Sequence, residues 1–440
     1  MRRKEKKSAK LGKNYWRLFS AHAISNLGDG VAAIAYPWLA SAVTRSPFLI
    51  ALVAVASRLP WLIFTLPAGV ITDRFNRGKI IVAMDIARGG LALLVAIVVT
   101  LEAKSLPELD EVASLTALET NWTLYIVLIV TALLFGFAEV LRDNSAQTLL
   151  PSVVEKEKLE SANGKLWSVE YVTSSFVGPP LGSFLLGVAI FLPFYFDSAT
   201  FFISAALVAT LIPSLRRVDT EKKGEEINLR AEIKEGFTWL WSHDLLRPMA
   251  LILGTLNAIG ALTAAVFILF AQEILETSLL VFAILGTAGA VGGSLGGILG
   301  PKISKKLGSG PSLYLTLLSG PIISLIIGLS SSWQLFYLLT AISTVFAVLW
   351  NVITVSLRQS IIPSQLLGRV NSVYRFFGWG SIPIGSLLGG VLVDLIELAG
   401  DREIALRSPY FLAALLGFGL LIFAAPRLTT AKIEAARGLI

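Results

Sequence analysis

The hexapeptide QTLLPS at positions 147–152 recurs as QSIIPS at positions 359–364. Each copy follows a long apolar segment, and an asparagine, Asn163 or Asn371, stands at the start of the next apolar segment. The same short polar sequence after two separate apolar segments indicates an internal duplication. The repeat therefore predicts a molecule built from two halves with a shared plan.

Two further matches extend the duplication towards the start of each half. GVI at 69–71 ends the second apolar segment, and GIL at 297–299 ends the eighth. Asn26 of the first segment likewise matches Asn257 of the seventh. Because the matches keep their order along the chain, we expect each half to contain six apolar segments.

The composition indicates a membrane protein. Hydrophobic residues make up 55% of the 440 residues and charged residues 15%, against about 25% charged in an average soluble domain. A membrane-spanning helix needs about 20 largely apolar residues, and twelve segments qualify. In chain order, spans 1 to 12 are 17–41, 47–71, 80–101, 122–142, 165–190, 194–213, 248–273, 279–300, 312–331, 334–357, 372–397 and 409–426. The predicted fold class is an all-α polytopic membrane protein with two pseudo-symmetric six-helix bundles.

The basic residues predict the orientation. With both termini in the cytoplasm, cytoplasmic segments hold 31 of the 37 lysines and arginines and the external segments hold four, as the positive-inside rule requires. Residues 1–17 contain eight basic groups and one acid, which accounts for the whole net charge of +7. We therefore interpret the excess charge as a lipid-facing anchor rather than a nucleic-acid site.

These features divide the chain into five predicted regions. A basic cytoplasmic arm (1–16) precedes an N-terminal six-helix bundle (17–213), a charged linker with an amphipathic helix lying on the membrane surface (214–247), a C-terminal six-helix bundle (248–426) and a cytoplasmic tail (427–440). A cell-membrane location and a monomer are expected.

Several kinds of site are excluded by composition. The chain has no cysteine and two histidines, His22 and His243, so cysteine chemistry and a multi-histidine metal centre are excluded. No Walker motif occurs, so ATP is not the direct energy source. No hydrolase or metalloprotease motif occurs either, which argues against a polytopic membrane enzyme. We expect no cofactor and no metal.

The six-plus-six plan resembles the major facilitator superfamily, and specific residues strengthen the match. The loop GVITDRFNRGK at 69–79 resembles that superfamily's signature, Gly-x-x-x-Asp-Arg-x-Gly-Arg-Lys, although Asn76 stands where the signature has glycine. GPPLG at 178–182 resembles part of its antiporter motif, which accompanies export, through Gly178, Pro179 and Gly182.

Shorter strings indicate a branch of the superfamily. The chain resembles the macrolide-efflux and enterobactin-exporter branch through SNLGD at 25–29, RLP at 58–60, LP at 150–151 with AN at 162–163, FDSA at 196–199 and GRVNSVYR at 368–375. The resemblance implies alternating access and export of amphipathic small molecules, of the drug or siderophore class.

The resemblance also implies a cytoplasmic gate near the signature loop. Its charged members are Asp73, Arg74, Arg77, Asp85, Arg88, Arg142 and Asp143. In the family the loop acid, here Asp73, caps the start of span 11, and Arg77 is then expected to pair with Asp143 or Glu139. The alternative interpretation is that these charges are solvated helix ends.

Charges deep in the spans require a reason, because each costs about 2.5–3.5 kcal/mol at the centre of a bilayer. Asn26 and Asp29 share one face of span 1, and Arg58 of span 2 reaches a similar depth. Asp29 and Arg58 are therefore predicted to pair, either as a cavity-facing functional pair or as a structural pair between spans 1 and 2.

A proton-coupled exporter also needs a carboxylate that exchanges protons. We rank Asp29 first and Glu139 second, and interpret Asp197 as a residue that caps span 6 near its outer end. The sequence thus predicts a proton-coupled exporter of small molecules. The alternatives are a lipid flippase or importer on the same fold, or a polytopic enzyme.

Overall fold

The structure, a computed structural model, describes residues 11–113, 115–155, 159–212, 229–363 and 366–436. It is all-helical, with 86% of residues in helices, and no strand occurs in these ranges. Most of the basic arm, the first part of the linker and the last four residues of the tail lie outside the described ranges, so the predictions made for them remain predictions.

The helices of the first half follow spans 1 to 6, with interruptions in spans 2 and 5. Their bounds are Lys13–Val43 for span 1, Pro47–Ile63 and Thr65–Arg74 for span 2, Arg77–Glu102 for span 3, Trp122–Val153 for span 4, Leu159–Glu170, Tyr171–Val177 and Gly178–Val188 for span 5, and Leu192–Ala209 for span 6.

Prolines account for these two interruptions. In span 2 the second helix begins at Thr65 and has Pro67 in its first turn, where a missing backbone N–H leaves no helical hydrogen bond broken. In span 5 Pro179 and Pro180 cannot donate to the preceding turn. A π-helical segment over Tyr171–Val177 lies directly before them.

The second half contains the linker helix and spans 7 to 12. Their bounds are Leu229–Ser242 for the linker helix, Leu246–Ala264, Phe267–Leu269 and Phe270–Ile274 for span 7, Leu279–Gly286 and Ala288–Leu307 for span 8, Ser309–Leu329 for span 9, Trp333–Ile361 for span 10, Leu367–Gly380 and Ile382–Glu397 for span 11, and Arg402–Ala424 for span 12. A helix over Thr430–Ala436 follows.

Nine helices in the described part of the chain are long and apolar enough to cross a membrane. The prediction of twelve spans is therefore not confirmed. The prediction of a helical membrane protein is confirmed. The three spans that fall short are 1, 2 and 5. Span 1 is continuous but contains Asn26 and Asp29, whereas the other two are divided into shorter helices.

The chain forms two compact units that do not coincide with its sequence halves. Unit 1 comprises Met1–Ala35, Ile63–Thr100 and Leu134–Glu225. Unit 2 comprises Tyr36–Leu62, Leu101–Leu133 and Glu226–Ile440. One end of spans 1, 2 and 4 therefore belongs to the same packed unit as the second half of the chain.

The linker helix Leu229–Ser242 packs on the first helix of span 11 within unit 2. Leu240 is buried in the core, and a Cβ atom on Gly236 would lie 2.8 Å from the backbone of Arg369. The guanidinium of Arg369 also lies 2.5 Å from the Glu235 carboxylate. The predicted amphipathic helix thus has a protein surface to cover, and its placement on a membrane stays a prediction.

Spans 1 and 5 approach each other closely within unit 1, at the glycines of the antiporter-like motif. A Cβ atom on Gly178 would lie 2.5 Å from the Cα atom of Gly30, and one on Gly182 would lie 2.8 Å from the carbonyl oxygen of Val31. Real Cβ atoms do not approach backbone atoms so closely. Glycine is therefore needed here to let two helix backbones touch, as small residues do in membrane helix pairs.

We expect Gly178→Ala to destabilise the protein by about 1–3 kcal/mol, as over-packing does elsewhere. Gly187→Ala in the same helix is the matched control, because its new Cβ atom would meet no atom within 4 Å. The measurement is the melting temperature of each purified variant in detergent. Equal melting temperatures would show that close approach is not the reason for this glycine.

Candidate functional site

A group of charged side chains lies inside unit 1, contributed by spans 1, 3 and 4. We call it the charge cluster, and its members are Asp29, Asp85, Arg88, Arg142 and Asp143. Four of these five residues were predicted as gate residues and one as a cavity residue. The structure brings them together.

Asp85 of span 3 lies at the centre of the charge cluster and is fully buried. It accepts hydrogen bonds from Arg142 Nε at 3.3 Å and from Ser204 Oγ of span 6 at 2.7 Å. Arg88 Nη1, one turn along the same helix, lies 3.7 Å away. One carboxylate therefore holds two guanidinium groups, and a buried charge is tolerated because it is paired.

Arg88 joins Asp85 to Asp29. Its side chain is 2% exposed, and Nη2 donates to Asp29 Oδ1 at 2.6 Å. The guanidinium also stacks on the rings of Phe135 and Phe201, 4.6 and 4.0 Å from their centroids. Nε has no hydrogen-bond acceptor in the described part of the chain. Arg88 is thus held by aromatic faces and by one strong ion pair, with one donor unused.

The predicted pair between Asp29 and Arg58 is wrong, because the partner of Asp29 is Arg88. Helical periodicity places Asp29 and Arg58 at similar depth but does not say which helix faces span 1. In the structure span 3 supplies the guanidinium. Arg58 is exposed and lies on Pro47–Ile63, which belongs to unit 2.

The other polar residues of span 1 make contacts near the charge cluster. Asn26 donates its amide to the backbone carbonyl of His22 at 2.7 Å, and His22 Nε2 lies 3.3 Å from the carboxylate of Glu170 on span 5. Glu139 of span 4 lies near enough to Asp29 and Asp143 to repel their negative charges.

The backbone of the signature loop is described throughout. Asp73 and Arg74 end the second helix of span 2, and Arg77 begins span 3. The side chains of Asp73 and Arg74 lie outside the part of the chain that the structure describes, so their role in a gate stays a prediction. The described contacts of Asp85, Arg88 and Arg142 all lie among spans 1, 3, 4 and 6.

A second set of ion pairs, which the sequence did not predict as a site, lies in unit 2. We call it the loop network, formed by Arg45, Gln272, Glu273, Glu397 and Arg402. Glu273 accepts from Arg402 Nε at 2.6 Å and Nη2 at 2.9 Å, and Arg45 Nη2 lies 3.4 Å away. Arg402 Nη1 also donates to Glu397 at 2.6 Å.

Arg45 is buried within the loop network, with 3% of its surface exposed. It donates to the Leu115 carbonyl and, at 2.5 Å, to Gln272 Oε1. Burial lowers the pKa of Arg45 to about 10. The Arg402 guanidinium also lowers this pKa, whereas the Glu273 carboxylate raises it. The loop network therefore ties the connection between spans 1 and 2 to span 7 and to the start of span 12.

A pocket of about 370 Å³ opens beside the loop network and is lined by Thr116, Glu273, Glu276, Arg402 and Arg407 among others. The sequence identifies three of these residues only as external basic residues, namely Arg45, Arg402 and Arg407. Acidic residues lie near them in the same short connections. Which arginine pairs with which acid depends on how the two halves pack, and helical periodicity does not predict that.

In the described ranges, no group of three or more histidine, aspartate or glutamate side chains is placed to hold a metal ion.

The family to which the chain belongs agrees with its charge distribution and its internal repeat. The model of the Major Facilitator Superfamily matches residues 18–385. The chain belongs to this superfamily. It is a multi-pass membrane transporter of small molecules and not an enzyme.

Relatives of known role support the export branch. The multidrug efflux pump Tap of Mycolicibacterium fortuitum is 24% identical over 400 residues, covering 87% of this chain and 89% of that protein. The enterobactin exporter EntS of Shigella boydii serotype 4 is 24% identical over 412 residues, covering 92% and 88%. The two relatives confirm the resemblance to the efflux and enterobactin-exporter branch that the short sequence motifs indicated.

Solved structures confirm the fold. A bacterial homologue of the iron transporter ferroportin in the inward-facing state has a TM-score of 0.70 at 17% identity, covering 95% of this chain and all of that one. A bacterial homolog to the human lysosomal transporter Spinster has a TM-score of 0.64 at 13% identity, covering 97% and 96%. At these identities the likeness concerns the fold alone.

We expect Asp85→Asn to destabilise the protein by about 3–5 kcal/mol, because it leaves two buried guanidinium groups without their shared carboxylate. Lys79→Gln is the control on the same helix, since Lys79 is exposed. The checks are the yield of monodisperse protein and its melting temperature in detergent. An Asp85→Asn protein as stable as the control would mean that the cluster does not hold unit 1 together.

Proposed function

We propose that this protein is a proton-coupled exporter of amphipathic small molecules that works by alternating access. The observation that carries the proposal is the loop network, in which residues from the first half and from the second half pair at one end of unit 2. A contact of this kind, made of few ion pairs between two repeats, is what alternating access must make and break in each cycle.

The relatives support the direction and the substrate class. One is named a multidrug efflux pump and another an enterobactin exporter, and both match nearly the whole chain. Export of drug-like or siderophore-like molecules is therefore the most economical assignment. Import and lipid flipping on the same fold become outcomes of the transport test.

An aromatic contact within unit 2 suits a substrate with an apolar part. Trp61 of span 2 stacks on Trp379 of span 11, with centroids 5.1 Å apart and planes at 27°. Trp379 is 40% exposed. A half-exposed aromatic pair between the two halves offers flat apolar surface to a cation or a ring, which fits an amphipathic ligand better than a small sugar.

The orientation follows from the distribution of basic residues. With the termini in the cytoplasm, the loop network lies on the external side, together with the acidic loop at 102–121. In the proposed cycle, the network is closed while substrate enters from the cytoplasmic side and opens for release. The signature loop, with Asp73, Arg74 and Arg77, closes the opposite end in turn.

Transport is tested in proteoliposomes with ethidium as the probe and an imposed pH gradient. We expect ethidium to move against its gradient as protons move the other way, and a proton ionophore to stop it. Ethidium movement that ignores the pH gradient would overturn the proton coupling. Movement in the same direction as protons would indicate import, and movement of a labelled phospholipid in place of ethidium would indicate a flippase.

Opening of the loop network can be followed with a single cysteine, because the natural chain contains none. Ser41 is fully buried and accepts a hydrogen bond from Gln272. We expect Ser41→Cys to react slowly with a membrane-impermeant thiol reagent, and faster when Glu273→Gln removes the carboxylate that both arginines share.

Glu276→Gln is the control for this experiment, since Glu276 lies three residues further along and is exposed. It is expected to leave the labelling rate unchanged. If Glu273→Gln and Glu276→Gln give the same rate, the loop network does not hold that end closed.

A further inference from the structure

Asp197 is the most unusual charged residue of unit 1. It is the sixth residue of the helix Leu192–Ala209, and it is fully buried. Neither of its carboxylate oxygens has a hydrogen-bond partner in the described part of the chain. The residue that caps this helix is Phe191, so the sequence-based interpretation of Asp197 as a cap is wrong.

The backbone of span 1 closes one side of Asp197. A Cβ atom on Gly28 would lie 2.6 Å from Asp197 Oδ1. The neighbouring residue Ser198 is also fixed, because its hydroxyl donates to the Gly89 carbonyl of span 3 at 2.8 Å. Asp197 thus lies against the backbone of span 1, beside the residue that precedes Asp29, at the point where span 6 is bound to span 3.

The charges that act on Asp197 are one acid and one base, Asp29 of span 1 and Arg88 of span 3. Arg88 stacks on Phe201, one turn after Asp197 on the same helix. The other charged side chains nearby act on Asp29 and Arg88. They are Asp85 of span 3 and Glu139, Arg142 and Asp143 of span 4. Glu170 of span 5 lies against His22.

The side chains of Asp197 and Arg88 each have atoms without a hydrogen-bond partner in the described part of the chain. Asp197 has two acceptor atoms without a donor, and Arg88 has one donor, Nε, without an acceptor. An ionised carboxylate buried without a donor is far more costly than a neutral carboxyl group. Two acids that share one cation do not both ionise at low cost, as in pairs of carboxyl groups that share one proton.

We propose that Asp197 holds a proton while Arg88 is bound to Asp29, and that Arg88 moves between these two carboxylates during transport. When Arg88 moves to Asp197, the O–H bond of Asp197 breaks and its proton leaves to water. Asp29, now without its cation, takes up a proton from water. The net charge of the three side chains is the same before and after, so each transfer exchanges one proton without leaving an unpaired charge.

This inference rests on the proposed proton coupling and assigns it to named atoms. It adds Asp197 to Asp29 as half of a pair, whereas the sequence ranked Asp29 and then Glu139. The mechanism uses a guanidinium because this group stays charged at all relevant pH values and can therefore neutralise either carboxylate in turn.

The protonation of Asp197 is measured directly by infrared spectroscopy of the purified protein at neutral pH, through the C=O stretch of a protonated carboxyl group. We expect Asp197→Asn to remove this band, and Asp244→Asn, which changes an exposed acid, to leave it unchanged. Asparagine has nearly the shape of the protonated acid, so the variant is expected to fold. A band that persists in Asp197→Asn would overturn the assignment.

The role in transport is measured in proteoliposomes with ethidium. We expect Asp197→Asn to lose the response to a pH gradient while it still exchanges ethidium down a concentration gradient, with Asp244→Asn behaving like the natural protein. A full pH response in Asp197→Asn would overturn the inference and leave the proposed exporter intact. No pH response in the natural protein would instead overturn the proton coupling itself, and the infrared band would still decide whether Asp197 carries a proton.

Discussion

The ion pair between Arg88 and Asp29 is the interaction on which the rest of unit 1 depends. A charge in the apolar part of a membrane protein is tolerated when it is paired, and Arg88 is paired on one side with Asp29 and on the other with Asp85. Asp85 in turn brings in Arg142 and Ser204. Four helices are thereby fixed around one guanidinium, which also lies over the rings of Phe135 and Phe201.

The two charge groups of the molecule differ in what they join. The charge cluster connects helices of the first half, so a movement of the halves does not by itself separate its members. The loop network connects the two halves through short connections and helix ends, so a movement of the halves has to break it. Burial and pairing are similar in both, and the difference lies in which segments of chain carry the partners.

Much of this architecture is predictable from the sequence, because composition, repeats and charge bias are properties of the chain itself. Apolar length predicts helices, and the superfamily resemblance is confirmed by the comparisons. Helical periodicity also places Asn26 and Asp29 on one face of span 1. It does not identify Arg88 as the partner of Asp29, nor the isolation of Asp197, because both depend on which helices become neighbours and at what height.

The π-helical segment in span 5 sets the rotation of everything that follows it. Each residue of an α-helix turns the chain by about 100°, and a π turn accommodates one residue more than an α turn. The contact of Gly178 with Gly30 therefore depends on the number of residues in Tyr171–Val177 as much as on their identity. A regular α-helix over the same seven residues would turn the chain further, because an α turn contains fewer residues, and it would rotate Gly178 and Gly182 away from span 1. The π-helical winding of this segment is therefore a condition for the contact between spans 1 and 5.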